Sequence, residues 1–163
     1  MFRRKYHRNG MAPQALCRLN VNIAALGNPA TLDERPLRIL VADDHPVIRK
    51  RVRTVLEGYP RFDVCAEVAD GAEAVEQALR LKPDVVVLNI TMPILSGLEA
   101  AREIRAKLPK SAIVILSSHA DQQFIEEARR VGARAYVAKT KIGDALIKAI
   151  GDAVDPGDFV LVA

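Results

Sequence analysis

The residues of this chain that could do chemistry stand where its apolar runs end. The positions are Asp43 with Asp44, then Asn89, Ser117 and Lys139. Paired carboxylates hold Mg²⁺ through hard oxygen ligands, and an ammonium group offsets the charge of a transferring phosphoryl group. A hydroxyl can hydrogen-bond that group once it has moved. The set is typical of phosphoryl transfer to a central carboxylate, but the central residue, Asn89, is an amide and lacks that nucleophile.

Five strand–helix units would position these residues. The predicted strands are Arg38–Asp43, Phe62–Val68, Asp84–Leu88, Ala112–Leu116 and Ala133–Ala138. The predicted helices begin at Pro46, whose missing N–H suits a first turn, and then cover Gly71–Leu81, Ser96–Leu108, Asp121–Val131 with Gly132 as cap, and Ile142–Val154. The strands are continuous Val/Ile/Leu runs, as burial on both faces requires. An α/β fold with a doubly wound parallel sheet is therefore expected, with its ligand site at the carboxyl ends of the strands.

Residues Leu37 to Val154 resemble the receiver domains of two-component response regulators. The resemblance rests on Asp43-Asp44-His45-Pro46, on Asn89 followed by Met92-Pro93 and Gly97, and on the Lys139 segment. It is greatest with receivers joined to a helix-turn-helix output domain. It implies a five-stranded, flavodoxin-like (βα)5 fold with strand order 2-1-3-4-5.

The resemblance also implies a role for each of these residues. Asp43, Asp44 and the backbone carbonyl of Thr91 would form the metal site, and Asn89 would occupy the phosphoacceptor position. Ser117, Tyr136 and Lys139 would be the switch residues. Because Asn89 removes one of three negative charges, Mg²⁺ would bind only weakly. Lys139 is expected to neutralise both Asp43 and Asp44.

Each of these residues also has a purely structural interpretation. An Asp pair can cap a helix, Ser117 can be a turn residue, Lys139 a solvated charge and Tyr136 a core aromatic. With Asn89 the set has five features, which stand at the strand ends and in the order that the resemblance implies, and this favours the functional interpretation of the set. His45 and His119 are predicted to be surface loop residues.

The basic charge of the chain lies in its first segment. Residues 1–36 carry 6 Lys/Arg against 2 Asp/Glu, which accounts for the whole net charge of +4. With several Gly and Pro and no periodicity, they are predicted to be a flexible basic arm; a targeting peptide and a later start at Met11 are other interpretations. Residues 155–163 are predicted to be a C-terminal tail. No apolar run approaches the ~18 residues of a membrane span, and Cys17 and Cys65 fit a reduced, cytoplasmic setting.

These features predict a stand-alone pseudo-receiver of two-component phosphorelay signalling, not an enzyme, that acts through protein contacts. The expected partner face is the fourth helix, fifth strand and fifth helix, with Arg129, Arg130 and Arg134. It would bind a protein or a second copy; a histidine kinase could bind without phosphotransfer, and direct nucleic-acid binding is not expected. The alternative is a truncated or Asp-to-Asn engineered receiver from a phospho-accepting, DNA-binding transcriptional regulator.

Overall fold

The computed structural model describes residues 35–119, 121–155 and 157–162. The predicted arm, 1–36, lies outside the described residues except for Arg35 and Pro36. Arg35 belongs to the domain, because its guanidinium donates two hydrogen bonds, of 2.8 and 2.9 Å, to the carboxylate of Asp84.

Within the described residues the strands form one parallel sheet, ordered β2-β1-β3-β4-β5-β6. They are β1 Leu37–Ala42, β2 Phe62–Val68, β3 Val85–Leu88, β4 Ala112–Ser117, β5 Ala135–Ala138 and β6 Val160–Val162. The predicted fold and the order of the first five strands are confirmed. The sheet is not limited to five strands, however, because the residues predicted to be a tail contain β6, which pairs with the outer edge of β5.

The helices lie close to their predicted positions. They are α1 Pro46–Glu57, α2 Gly71–Leu81, α3 Gly97–Lys107, α4 Gln122–Arg130 and α5 Asp144–Val154, with a short 3₁₀ turn at Lys139–Lys141. Ser96 lies outside α3 because it is the N-cap, in a reciprocal capping box with Glu99. After α4, Gly132 has φ +82°, the left-handed conformation expected of a residue that ends a helix.

The sheet is buried on both faces, as the continuous apolar runs require. Along β1, Leu40 and Ala42 pack into the core beneath α2, α3 and α4, whereas Ile39 and Val41 pack into the core beneath α1 and α5. All strands are parallel, so β1, β3, β4 and β5 end at the same edge of the sheet. No helix among the described residues has the length and hydropathy that spanning a bilayer requires.

Candidate functional site

The loop after β1 presents two carboxylates in different surroundings. Asp43 is buried, and its Oδ1 accepts a hydrogen bond from the backbone N–H of His45 at 2.9 Å. Arg49, on the first turn of α1, donates to the carbonyl oxygen of Asp43 at 2.6 Å. These contacts hold the chain at the point where β1 leads into α1. Asp44 is only half-buried and faces the site.

Lys139 forms a buried ion pair with Asp43. Its Nζ is 2.6 Å from Oδ2 of Asp43, and the two side chains are only 9% and 2% exposed. This carboxylate oxygen has no other polar partner among the described residues. Lys139 was expected to neutralise both acids, but the structure pairs it with Asp43 alone. The reason is that Asp44 has contacts of its own.

Asn89 lies directly after β3, and its backbone N–H donates to the carbonyl of Ala42 at 2.8 Å. Its side-chain Nδ2 donates to Oδ1 of Asp44 at 2.9 Å and to the backbone carbonyl of Thr91 at 2.7 Å. Both partners are acceptors only, so the amide must direct its nitrogen toward them. The side chain of Asn89 therefore connects the loop after β1 to the loop after β3.

The loop after β3 is held close to Asn89 by Gly97. The N–H of Gly97 donates to the carbonyl of Ile90 at 2.8 Å. A Cβ at this position would lie 1.9 Å from the carbonyl oxygen of Asn89, so the close approach requires glycine. In the same loop, Ile94 has φ +68° and is 84% exposed. A β-branched residue is rare in this conformation, which marks the loop as locally strained.

His45 joins the acidic pair, a contact that the sequence analysis missed. Its Nδ1 is 2.9 Å from Oδ1 of Asp44 and 3.4 Å from Oδ1 of Asp43. Burial acts to raise the pKa of Asp44, but the interactions with His45, its backbone hydrogen bond and the hydrogen bond from Asn89 together outweigh burial, and the pKa lies below its usual value. His45 is a surface residue, as predicted. Its position directly after two acids at a strand end was the signal for this contact.

The ligand atoms of Asp43, Asp44 and His45 lie within 4.8 Å of one another, close enough to hold a metal ion. The surrounding contacts fit Mg²⁺ poorly. The carbonyl of Thr91 and Oδ1 of Asp44 already accept the amide N–H groups of Asn89, and an ammonium group lies on Asp43. Binding of Mg²⁺ would require the amide of Asn89 to rotate away from these oxygens. The cation would then have two carboxylates as ligands, whereas a site with a third acid at position 89 would offer three.

Ser117 and Tyr136 are connected through the backbone of His119. The hydroxyl of Ser117, at the end of β4, accepts the N–H of His119 at 3.1 Å, and the hydroxyl of Tyr136 donates to the carbonyl of His119 at 2.7 Å. Tyr136 is fully buried, and burial raises its pKa. The loop after β4 is thus fixed by both predicted switch residues.

A cavity of about 210 Å³ opens above this arrangement. It is lined by residues of all four loops: Asp44, His45, Asn89, Thr91, Ser118, His119 and Lys139. The predicted arginines lie elsewhere. Arg129 is over the ring of Phe159, 4.5 Å from its centroid, and Arg134 donates to the carbonyl of Gly157 at 3.2 Å. Arg130 is exposed on α4.

Known proteins share the sequence pattern and the fold of this chain. Residues 39–151 match the family described as response regulator receiver domain. The transcriptional regulatory protein DegU of Brevibacillus brevis is 33% identical over 129 residues, which are 79% of this chain and 55% of that protein. Protein CcdB of Bacillus subtilis is 32% identical over 118 residues, 70% of this chain and 98% of that protein.

Among solved structures, a two-component response regulator of the LuxR family from Aurantimonas sp. SI85-9A1 superposes with a TM-score of 0.72 at 34% identity. The match covers 77% of this chain and 89% of that one. The chain spans about half the length of several transcriptional regulators that it matches. It belongs to the response regulator receiver domain family.

Proposed function

We propose that this chain is a pseudo-receiver of two-component signalling: it is not phosphorylated at residue 89 and acts through protein–protein contacts, without catalytic turnover of its own. The observation that carries the proposal is the pair of hydrogen bonds from Nδ2 of Asn89 to Asp44 and to the carbonyl of Thr91. Asn89 follows β3 at the centre of the site, the phosphoacceptor position by resemblance. The amide there holds the oxygens that a cation would otherwise bind.

Two chemical consequences support the proposal. An amide nitrogen has its lone pair delocalised and is no nucleophile, so an aspartyl phosphate cannot form at residue 89. The buried carboxylate of Asp43 is also neutralised without a metal, because the ammonium of Lys139 lies 2.6 Å from it. The buried acid therefore needs no bound cation, and together with the hydrogen bonds of Asn89 this favours one fixed arrangement of the loops over a phosphorylation-dependent equilibrium.

Intact-mass measurement after incubation with acetyl phosphate and Mg²⁺ tests the proposal. The wild-type chain should gain no phosphoryl group. Asn89→Asp should bind Mg²⁺ more tightly and gain one group, since Asp43, Asp44, Ser117 and Lys139 are retained. The double variant Asn89→Asp/Asp44→Asn is the matched control, because it has the nucleophile but lacks a metal ligand. Phosphorylation of the wild-type chain at residue 89 would refute the proposal.

A second candidate function follows from the relatives. Several are transcriptional regulatory proteins of which this chain spans about half. The chain would then be the receiver part of a DNA-binding regulator whose output is controlled by contact with the receiver. Sequencing the transcript to its stop codon tests this candidate: a reading frame that encodes a helix-turn-helix after residue 163 supports it, and a stop codon directly after residue 163 refutes it.

A further inference from the structure

The outer edge of β5 is covered by a segment of the same chain. β6 runs parallel to β5 with Val160 opposite Ala135 and Val162 opposite Val137. The N–H of Val160 donates to the carbonyl of Arg134 at 2.9 Å. An uncovered β5 would present unpaired backbone groups to solvent, as every edge strand does. β6 therefore completes a surface that α4, β5 and α5 leave open.

The side chains around β6 show what this edge recognises. Phe159 packs against the core beneath α4 and lies under the guanidinium of Arg129. Val160 and Val162 pack against the opposite core, beneath α5, whereas Leu161 is 44% exposed. The segment that pairs with β5 therefore consists of an aromatic residue, a β-branched residue, a residue whose side chain is exposed, and a second β-branched residue. Two adjoining core surfaces contact three of the four side chains, and the backbone edge of β5 pairs with the strand.

We propose that this edge, which we call the β5 groove, is a strand-exchange surface whose other occupant is Phe159–Val162 of a second copy of this chain. The groove recognises the sequence that the chain itself carries, so an exchanged strand would remake the Arg129–Phe159 contact and the backbone pairing unchanged. Exchange of an identical element is a low-cost route to a dimer for this reason. β6 has only three residues, and a connection of five residues, 155–159, joins it to α5. A short edge strand of this kind opens at a small cost in free energy.

The intrachain arrangement is favoured in dilute solution, because the connection keeps β6 at a high local concentration. The exchanged dimer should therefore form only as the protein concentration rises toward millimolar. The inference is independent of whether residue 89 accepts phosphate.

Size-exclusion chromatography with light scattering, after prolonged incubation of the full chain over a range of concentrations, tests the proposal. Val160→Pro removes the N–H donated to the carbonyl of Arg134 and keeps β6 from pairing with β5 of either copy, so the dimer should be lost. Leu161→Thr is the matched control: it lies on the same strand, keeps the backbone bonds and changes only an exposed side chain. A synthetic peptide of residues 155–163 should dissociate the dimer, and the same peptide with Phe159→Ser should not.

Circular dichroism establishes whether Val160→Pro is folded. If it is not, deletion of Gly157 and Asp158 replaces it. The shorter connection should keep β6 from reaching β5 of its own chain, so the dimer should form at a lower concentration. A concentration-dependent dimer that is lost in Val160→Pro or strengthened by the deletion, and kept in Leu161→Thr, supports the proposal. A chain that stays monomeric throughout, or a dimer that forms equally well in Val160→Pro and resists the peptide, overturns it.

Discussion

The buried ion pair between Lys139 and Asp43 allows a quantitative test of the site. At 2.6 Å the Coulomb attraction between unit charges is about 6 kcal/mol at an effective dielectric constant of ~20, before the cost of desolvation is subtracted. Replacing one member of such a pair leaves the other charged group buried and typically costs about 3–5 kcal/mol. Lys139→Met and Asp43→Asn should each lower the free energy of unfolding by that amount.

The double variant, Lys139→Met/Asp43→Asn, should be far less destabilised than the sum of the two. It leaves no buried charge, and the amide introduced at position 43 would keep an oxygen for the N–H of His45. Denaturant unfolding of all four proteins should give a coupling energy of about 3 kcal/mol or more. Lys148→Met is the matched control. Its Nζ is also 2.6 Å from a carboxylate, that of Asp152, but the two side chains are 76% and 41% exposed, so the loss should be below about 1 kcal/mol.

Additivity of the two single substitutions to within about 0.5 kcal/mol would refute the reasoning, since independent sites behave in that way. It would mean that Lys139 and Asp43 are each stabilised by other groups. The neutralisation of Asp43 by Lys139 would then no longer support the proposal that the loops are held in one arrangement.

Three further predictions concern contacts outside the pair. Asp84→Asn should lower the free energy of unfolding by about 1–3 kcal/mol at neutral pH. Hydrogen bonds from Arg35 are the main cause of the lowered pKa of Asp84. The stability that the Asp84 carboxylate contributes is therefore complete above about pH 4 and is lost as the pH falls through that lowered pKa. Unfolding of wild type and variant across pH measures this, and a difference that does not shrink in acid contradicts it. Gly97→Ala should destabilise the protein by about 3 kcal/mol in thermal unfolding, because the new Cβ would clash with backbone atoms. Gly151→Ala is the control, because its Cβ would meet only the guanidinium of Arg61 at 4.0 Å. Equal effects of the two substitutions would show that the loop at Gly97 can move to accommodate the Cβ. Removal of residues 1–33 should change the stability by less than about 0.5 kcal/mol, and a loss of several kcal/mol would show that this segment docks on the domain.

The architecture could be predicted from the sequence because burial of the strands requires runs of apolar residues, which are visible locally in the sequence. A parallel strand buried on both faces is apolar along nearly its whole length. The predicted strands Asp84–Leu88 and Ala112–Leu116 therefore match β3 and β4 to within one residue without any knowledge of their partners. β6, Val160–Val162, is apolar too, but a run of three residues is too short to predict a strand. Its three residues form a strand because they pair with the outer edge of β5. That long-range pairing cannot be predicted from the residue types of Val160–Val162 alone.

The chemical character of each site residue could be predicted from the sequence. Which side chains form hydrogen bonds and ion pairs with one another could not. The residue type of Asn89 is enough to predict the loss of a nucleophile. Its two hydrogen bonds depend on where the loop carrying Thr91 passes, which Gly97 determines from a distance in sequence. Lys139 likewise pairs with Asp43 alone because His45 and Asn89 already form hydrogen bonds with Asp44.

The burial of Tyr136 gives this protein an intrinsic optical probe. The chain contains no tryptophan and three tyrosines, so its near-ultraviolet absorbance and emission arise from tyrosine. Tyr59 is partly exposed and donates to the carboxylate of Asp144, whereas the ring of Tyr136 is in the core with its hydroxyl on the loop that follows Ser117. Displacement of that ring would change its absorption band and its fluorescence lifetime. The state of the loop could thus be followed in the unlabelled protein, in real time and in solution.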